Sequence, residues 1–138
     1  MSMAPTVLVV DDEPDVRLYL GTLLSQNGFR VQEAADAQEA MEQLSQSRPD
    51  AIILDIVMPG KSGVTLFNKI RKMEDLKGVP VILLTGVRDR FVEDFRSFFE
   101  SLKLGKPTAF IEKPLDPGLL LRTLRQAVEG CGQEERFP

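Results

Sequence analysis

Short, wholly apolar runs alternate along the chain with longer stretches whose apolar residues recur every three or four positions. Thr6–Val10 (TVLVV) is apolar and β-branched, which predicts a buried strand. Asp11, Asp12, Glu13 and Pro14 end it. Proline suits the first turn of a helix, where its missing N–H would have no partner, and acids suit the positive end of the helix dipole. Val16, Leu20, Leu23 and Leu24 then share one helical face, with Gly28 placed to cap the far end. Arg30–Ala34 (RVQEA) predicts a weaker strand. Asp36 followed by Glu39 has capping-box spacing and opens a second helix to about Ser47.

The second half repeats the alternation. Residues 50–55 (DAIILD) predict a third strand, and 56–62, with Met58, Pro59 and Gly60, a loop. Leu66, Phe67, Ile70 and Met73 mark a third helix. Residues 79–84 (VPVILL) predict a fourth strand, its proline near the start, where a missing donor is tolerated. Phe91, Phe95, Phe98 and Leu102 step by four, three and four, a fourth amphipathic helix. Residues 108–112 (TAFIE) predict a fifth strand. Asp116 and Pro117 then take the N-cap and first position of a last helix bearing Leu120, Leu124 and Val128. Residues 6–130 form one expected domain and 131–138 a polar tail. Strand and helix thus alternate five times, which implies parallel strands, right-handed crossovers and helices on both faces of an α/β sheet. Ligands on such sheets bind beyond the carboxyl ends of the strands.

Composition narrows the chemistry. The chain has 138 residues, 43% hydrophobic and 28% charged, which fits one domain with its own core. No apolar run approaches the roughly 18 residues that span a bilayer, so no membrane segment is expected. The opening MSMAPT lacks the basic and long apolar stretches of a secretory signal. There is no histidine, which excludes Ser-His-Asp, Cys-His and His-metal sites. One cysteine, Cys131, cannot form an internal disulfide, and a cytoplasmic location is the expectation. The net charge of −4, without a dense basic patch, argues against direct nucleic-acid contact.

The polar residues delivered to the carboxyl ends are Asp11 and Asp12 after the first strand, Asp55 at the end of the third, Thr85 after the fourth and Lys113 after the fifth. Carboxylates gathered at one place repel one another and favour a hard divalent cation with oxygen ligands. Magnesium there would leave positions for phosphate oxygens, with Thr85 donating a hydrogen bond and Lys113 a charge. An aspartate in that setting is a credible nucleophile for phosphoryl transfer. Taken singly, each piece has an ordinary reading: an acidic helix start at Asp11, Asp12 and Glu13, a turn at Thr85 and Gly86, a helix entry after Lys113. Asp55 is the hardest to explain this way, because a carboxylate abutting a core costs free energy. Gly60, Lys61 and Ser62 resemble the end of a P-loop, but Asp55 stands where its first glycine belongs.

Asp-Asp after an apolar first strand, LDIVMPG around Asp55, Thr-Gly at 85–86 and Lys-Pro at 113–114 together resemble the receiver domain of bacterial two-component response regulators. The resemblance runs from about Thr6 to Gly130. It implies a flavodoxin-like, doubly wound (βα)5 fold with a five-stranded parallel sheet in the order 2-1-3-4-5. It implies that Asp55 accepts phosphate from a phosphohistidine on a sensor histidine kinase or histidine phosphotransfer protein. It further implies Mg2+ held by Asp12, Asp55 and the backbone carbonyl of Val57, with Asp11 helping through water. Thr85 and Lys113 would read the phosphoryl group, Phe110 would be the aromatic that swings inward on activation, and the Lys113–Pro114 bond would be cis. A downstream output protein or domain and a homodimer are possible partners under this reading, and no enzymatic turnover of outside substrates is expected.

Two competing functions remain at the level of sequence. A haloacid-dehalogenase-type phosphatase also uses an aspartate and magnesium; Asp11 as its nucleophile, with Glu13 two residues on, leaves Asp55 unexplained. A docking module of receiver shape without phosphorylation is disfavoured by the intact set of Asp11, Asp12, Asp55, Thr85 and Lys113. One region departs from the family pattern: 28 positions separate Thr85 from Lys113, several more than usual, which predicts a lengthened fourth helix or following loop. That change puts in doubt the face where receivers commonly meet partners. Val57 and Val87 occupy the positions that flank the approach of hydrolytic water in receivers, and neither side chain can hydrogen-bond to it.

Overall fold

In the computed structural model of the chain, the described residues are 4–55, 63–85, 109–112 and 116–133. They form β1 (Thr6–Val10), α1 (Pro14–Ser25), β2 (Arg30–Ala34), α2 (Ala37–Gln46), β3 (Ala51–Asp55), α3 (Gly63–Lys72), a 3-10 turn (Glu74–Leu76), β4 (Val81–Thr85), β5 (Ala109–Glu112) and α4 (Pro117–Gln133). The strands make one sheet in the order β2-β1-β3-β4-β5, each neighbouring pair parallel. The expected helix from Phe91 to Leu102, the loop at 56–62 and the Lys113–Pro114 bond lie outside the described residues, so α4 is the C-terminal helix.

Strand side chains alternate between faces, and that alternation divides the interior into two cores. Leu8 and Val10, Ile52 and Leu54, and Val81 and Leu83 point to one side, against Ala40 and Leu44 of α2 and Leu66, Phe67 and Ile70 of α3. Val7 and Val9, Ala51 and Ile53, and Ile82 and Leu84 point to the other, against Leu20 and Leu24 of α1 and Leu120 and Leu124 of α4. Strands covered on both faces need apolar residues at every position, which is why β1, β3 and β4 read as unbroken hydrophobic runs. The edge strand β2 is exposed or half-buried until Ala34, hence its weaker pattern.

Local signals work as the sequence predicts. Gly28 has φ +90°, and the Phe29 N–H reaches back to the Leu24 carbonyl at 3.1 Å, closing α1 with a left-handed turn. Asp36 accepts from the Glu39 N–H at 2.8 Å, while the Glu39 carboxylate accepts from the Ala35 N–H at 2.9 Å, a capping box shifted one residue outward. Asp116 Oδ1 accepts from the Gly118 and Leu119 N–H groups, with Pro117 opening α4.

Three boundaries differ from expectation. β4 starts at Val81 rather than at 79, because the Val79 N–H is bonded to the Leu76 carbonyl in the 3-10 turn. Arg71 braces that turn, donating to the Val79 carbonyl at 3.0 Å with its guanidinium 5.0 Å above the Phe67 ring. Burial lowers the Arg71 pKa from its ordinary value. β3 starts at Ala51 rather than at 50, and the Asp50 side chain accepts from the Thr6 N–H at 2.7 Å where a strand carbonyl would otherwise do so. Finally, α4 runs to Gln133, so residues 131–133 of the expected tail are helical. A helix once formed gains a bond for each added residue and needs no apolar face to continue.

Substituting Gly28 by alanine should cost about 1–2 kcal/mol through backbone conformation alone, since an added Cβ meets nothing within 4 Å. Phe67→Ala, at a fully buried position, should cost about 3–5 kcal/mol. Equilibrium urea unfolding measures both; equal losses would contradict the assignment of these residues to a turn and a core.

Candidate functional site

The register fixes which residues meet at the carboxyl edge. Val10 lies beside Leu54, and Asp55 beside Leu84. Asp11, one residue past Val10, therefore stands level with Asp55. The Asp11 N–H donates to the Ala34 carbonyl at 3.1 Å and so carries the ladder one residue beyond β1. Its Oδ1 accepts from the Glu13 N–H at 2.9 Å, an Asx turn that swings the chain into α1. The Glu13 side chain makes no capping bond of its own; Pro14 begins the helix.

Ligand oxygens of Asp11, Asp12 and Asp55 all lie within 4.8 Å of one another. Asp11 is fully buried, Asp55 is 5% exposed and Asp12 is half-buried. Two ionised carboxylates at such a separation repel by about 3 kcal/mol at an effective dielectric near 20. The donor set is entirely hard oxygen, the kind that binds magnesium or calcium rather than a thiol- or imidazole-seeking metal. These residues fit a divalent cation, and among the described residues they are the one such cluster.

The remaining expected residues fall into two groups. Thr85 ends β4 beside Glu112, one position beyond the level of Asp55, and Phe110 lies in β5 beside Leu83. Their backbones thus stand on strands near the acidic edge. Val57, Val87 and Lys113 lie outside the described residues. One neighbour escaped the sequence reading. Arg17 Nη1 donates to the Asp11 carbonyl at 2.7 Å, and its Nε lies 3.6 Å from the Glu33 carboxylate. The available signal was a cation one helical turn past an acidic strand end, which is too common to single out alone.

Among the described residues no helix is long and apolar enough to cross a membrane. The profile of the response regulator receiver domain matches residues 7–125. Protein Rrf1 of Nitratidesulfovibrio vulgaris is 31% identical over 128 residues, covering 91% of this chain and 84% of Rrf1. The phosphate regulon transcriptional regulatory protein PhoB of Escherichia coli is 34% identical over 123 residues, covering 89% of this chain but 51% of PhoB, so the chain spans about half of that relative. The solved signal receiver domain of a signal transduction histidine kinase from Syntrophus aciditrophicus superposes with a TM-score of 0.78 at 32% identity, over 92% of each chain. The chemotaxis response regulator CheY4 of Vibrio cholerae gives 0.76 at 30% identity, over 91% of this chain and 99% of its own. Sequence and fold agree over the same span, and that span carries the acidic edge: the chain belongs to the response regulator receiver domain family of two-component signalling.

Proposed function

We propose that this receiver is a phosphoacceptor switch in which Asp55 takes a phosphoryl group from a phosphohistidine on a sensor histidine kinase or histidine phosphotransfer protein. The observation that carries the proposal is the gathering of Asp11, Asp12 and Asp55 within 4.8 Å, two of them buried, at the end of the sheet where the family resemblance puts the acceptor. In the transfer, an Asp55 carboxylate oxygen attacks phosphorus, the phosphorus–nitrogen bond breaks, the imidazole leaves and takes up a proton, and an acyl phosphate forms. Asp12, Asp55 and the Val57 carbonyl would hold Mg2+ directly, with Asp11 acting through water. The cation supplies charge neutralisation to the phosphoryl oxygens. Thr85 and Lys113 take the phosphoryl oxygens as hydrogen-bond donor and point charge, and Phe110 carries the change to the surface. An output domain or protein receives the signal; a homodimer is one form this can take. The chain acts on its own aspartate rather than on outside substrates.

Incubation with a small acyl-phosphate donor and Mg2+, followed by intact-mass and peptide analysis, should label Asp55 and leave Asp55→Asn unlabelled. Rapid turnover of the donor with no labelled protein would favour the phosphatase reading instead. Asp12→Ala should weaken Mg2+ binding by at least about tenfold, loss of one carboxylate ligand being worth ~1.4 kcal/mol or more; calorimetric titration reads this directly, and an unchanged isotherm would remove Asp12 from the ligand set.

The lifetime of the phosphorylated state follows from Val57 and Val87. Hydrolysis needs a water in line with phosphorus, and neither side chain can hold one. Each lost orienting contact of ~1.4 kcal/mol slows the step about tenfold, so decay should run tens of times slower than in a fast-cycling receiver. Following phosphorylated protein after donor removal, with Mg2+ present, checks this: decay within seconds, or a Val57→Asn variant that decays no faster, would contradict it.

A further inference from the structure

Arg17 sits where α1 passes the acidic edge and makes two contacts from one guanidinium. Nη1 donates to the carbonyl of Asp11 at 2.7 Å, and Nε faces the Glu33 carboxylate at 3.6 Å. That carbonyl belongs to the peptide joining Asp11 to Asp12, so its orientation sets the direction in which Asp12 leaves the backbone. Three bonds hold Asp11, and only the one from Arg17 is made to this peptide itself. The Asp11 N–H is bound to β2, Oδ1 of Asp11 to the Glu13 N–H, and the carbonyl to Arg17. Arg17 itself is 18% exposed. Its counter-ion is seated as well: an added Cβ at Gly21, one turn along the same face of α1, would lie 3.3 Å from the Glu33 carboxylate. Gly21 thus leaves room for Glu33 to rest across α1 beside Arg17, and Gln43 of α2 donates to the Glu33 backbone carbonyl at 2.6 Å.

From this geometry we infer that Arg17, anchored by Glu33, is a positioning residue for the cation site: it locks the Asp11–Asp12 peptide so that the acidic cluster is preorganised for Mg2+. The inference rests on the cation-binding reading given above. Electrostatics alone predicts the opposite sign. A guanidinium next to a cation site repels the cation, so a purely electrostatic Arg17 would bind less Mg2+ than its alanine variant. Positioning requires that removing Arg17 weakens binding in spite of the relieved repulsion. The planar fork is what allows the two contacts at once; lysine keeps the charge but not the fork.

The test is calorimetric titration of the full chain with Mg2+, beside thermal unfolding in chelator. Groups that orient metal ligands typically change affinity by 10- to 100-fold when removed. Arg17 acts through the backbone, so Arg17→Ala should bind about tenfold more weakly, Arg17→Lys should fall between it and wild type, and Glu33→Gln should show a smaller loss. Arg17→Ala binding as tightly as wild type, or more tightly, overturns the inference even where its unfolding midpoint has dropped. If Arg17→Ala does not fold, wild-type affinity in Arg17→Lys overturns it equally. Wild-type protein that gives no Mg2+ isotherm at all removes the cation reading itself, and this inference with it; wild-type binding with unchanged variants removes Arg17 alone.

Discussion

The strands all run the same way, and the placement of chemistry in this molecule depends on that polarity. A parallel sheet can be left neither half-covered nor randomly threaded: each crossover carries a helix back over one face, and every strand ends at the same edge. Leu8, Ile52 and Val81 face one core while Val7, Ile53 and Ile82 face the other, and no polar side chain stands between Val7 and Val10, Ala51 and Leu54, or Val81 and Leu84. Charged groups on those strands have one place to go, their carboxyl ends. The register then sets the spacing, and Asp11 and Asp55 become neighbours because Val10 and Leu54 are.

That neighbourhood is costly to build. Like charges at close range and low exposure oppose folding, and the two hydrophobic cores supply what holds them together. The local wiring limits the disorder this repulsion would otherwise cause: the Asx turn at Asp11, the bond from its N–H to Ala34, and Arg17 on its carbonyl fix the backbone before any cation arrives. A site of this kind gains from a bound cation twice, through coordination and through relief of repulsion. This is the physical content of the family's dependence on an acidic pocket, expressed in this chain's own contacts.

Much of this was legible in the sequence because the strands are short, uniformly apolar and separated by unambiguous stops. β1 and β2 lie where TVLVV and RVQEA predict them, and Asp36, Gly28 and Asp116 act as caps at their expected positions. What escaped depended on tertiary context. Leu76 looks like a lone apolar residue among charges, yet it is 1% exposed because a 3-10 turn folds it under α3. Val79 reads as strand but is claimed by that turn. Arg17 and Glu33 are sixteen positions apart and ordinary in composition; only the packing of α1 beside β2 brings them together. The acidic cluster was legible through the conjunction of strand ends, whereas the partners that orient it were not.

The opposite edge of the sheet is built on other lines. There the Thr6 N–H binds the Asp50 carboxylate while the Asp50 N–H binds the Thr6 carbonyl, Arg30 is tied to the Pro5 carbonyl, and Ile52 to that of Pro80. Three interstrand seams are thus stitched at their origins by short bonds of 2.7–2.9 Å, while the far ends of β1 and β3 carry mutually repelling acids. Carboxylates thus serve the two ends of β1 and β3 in opposite ways: one ties the strands together at their start, and three crowd together at their ends. Thr6 and Asp50 thereby fix the start of β1 against the start of β3, and Asp11 and Asp55, a strand's length away, inherit from that seam the register that makes them neighbours.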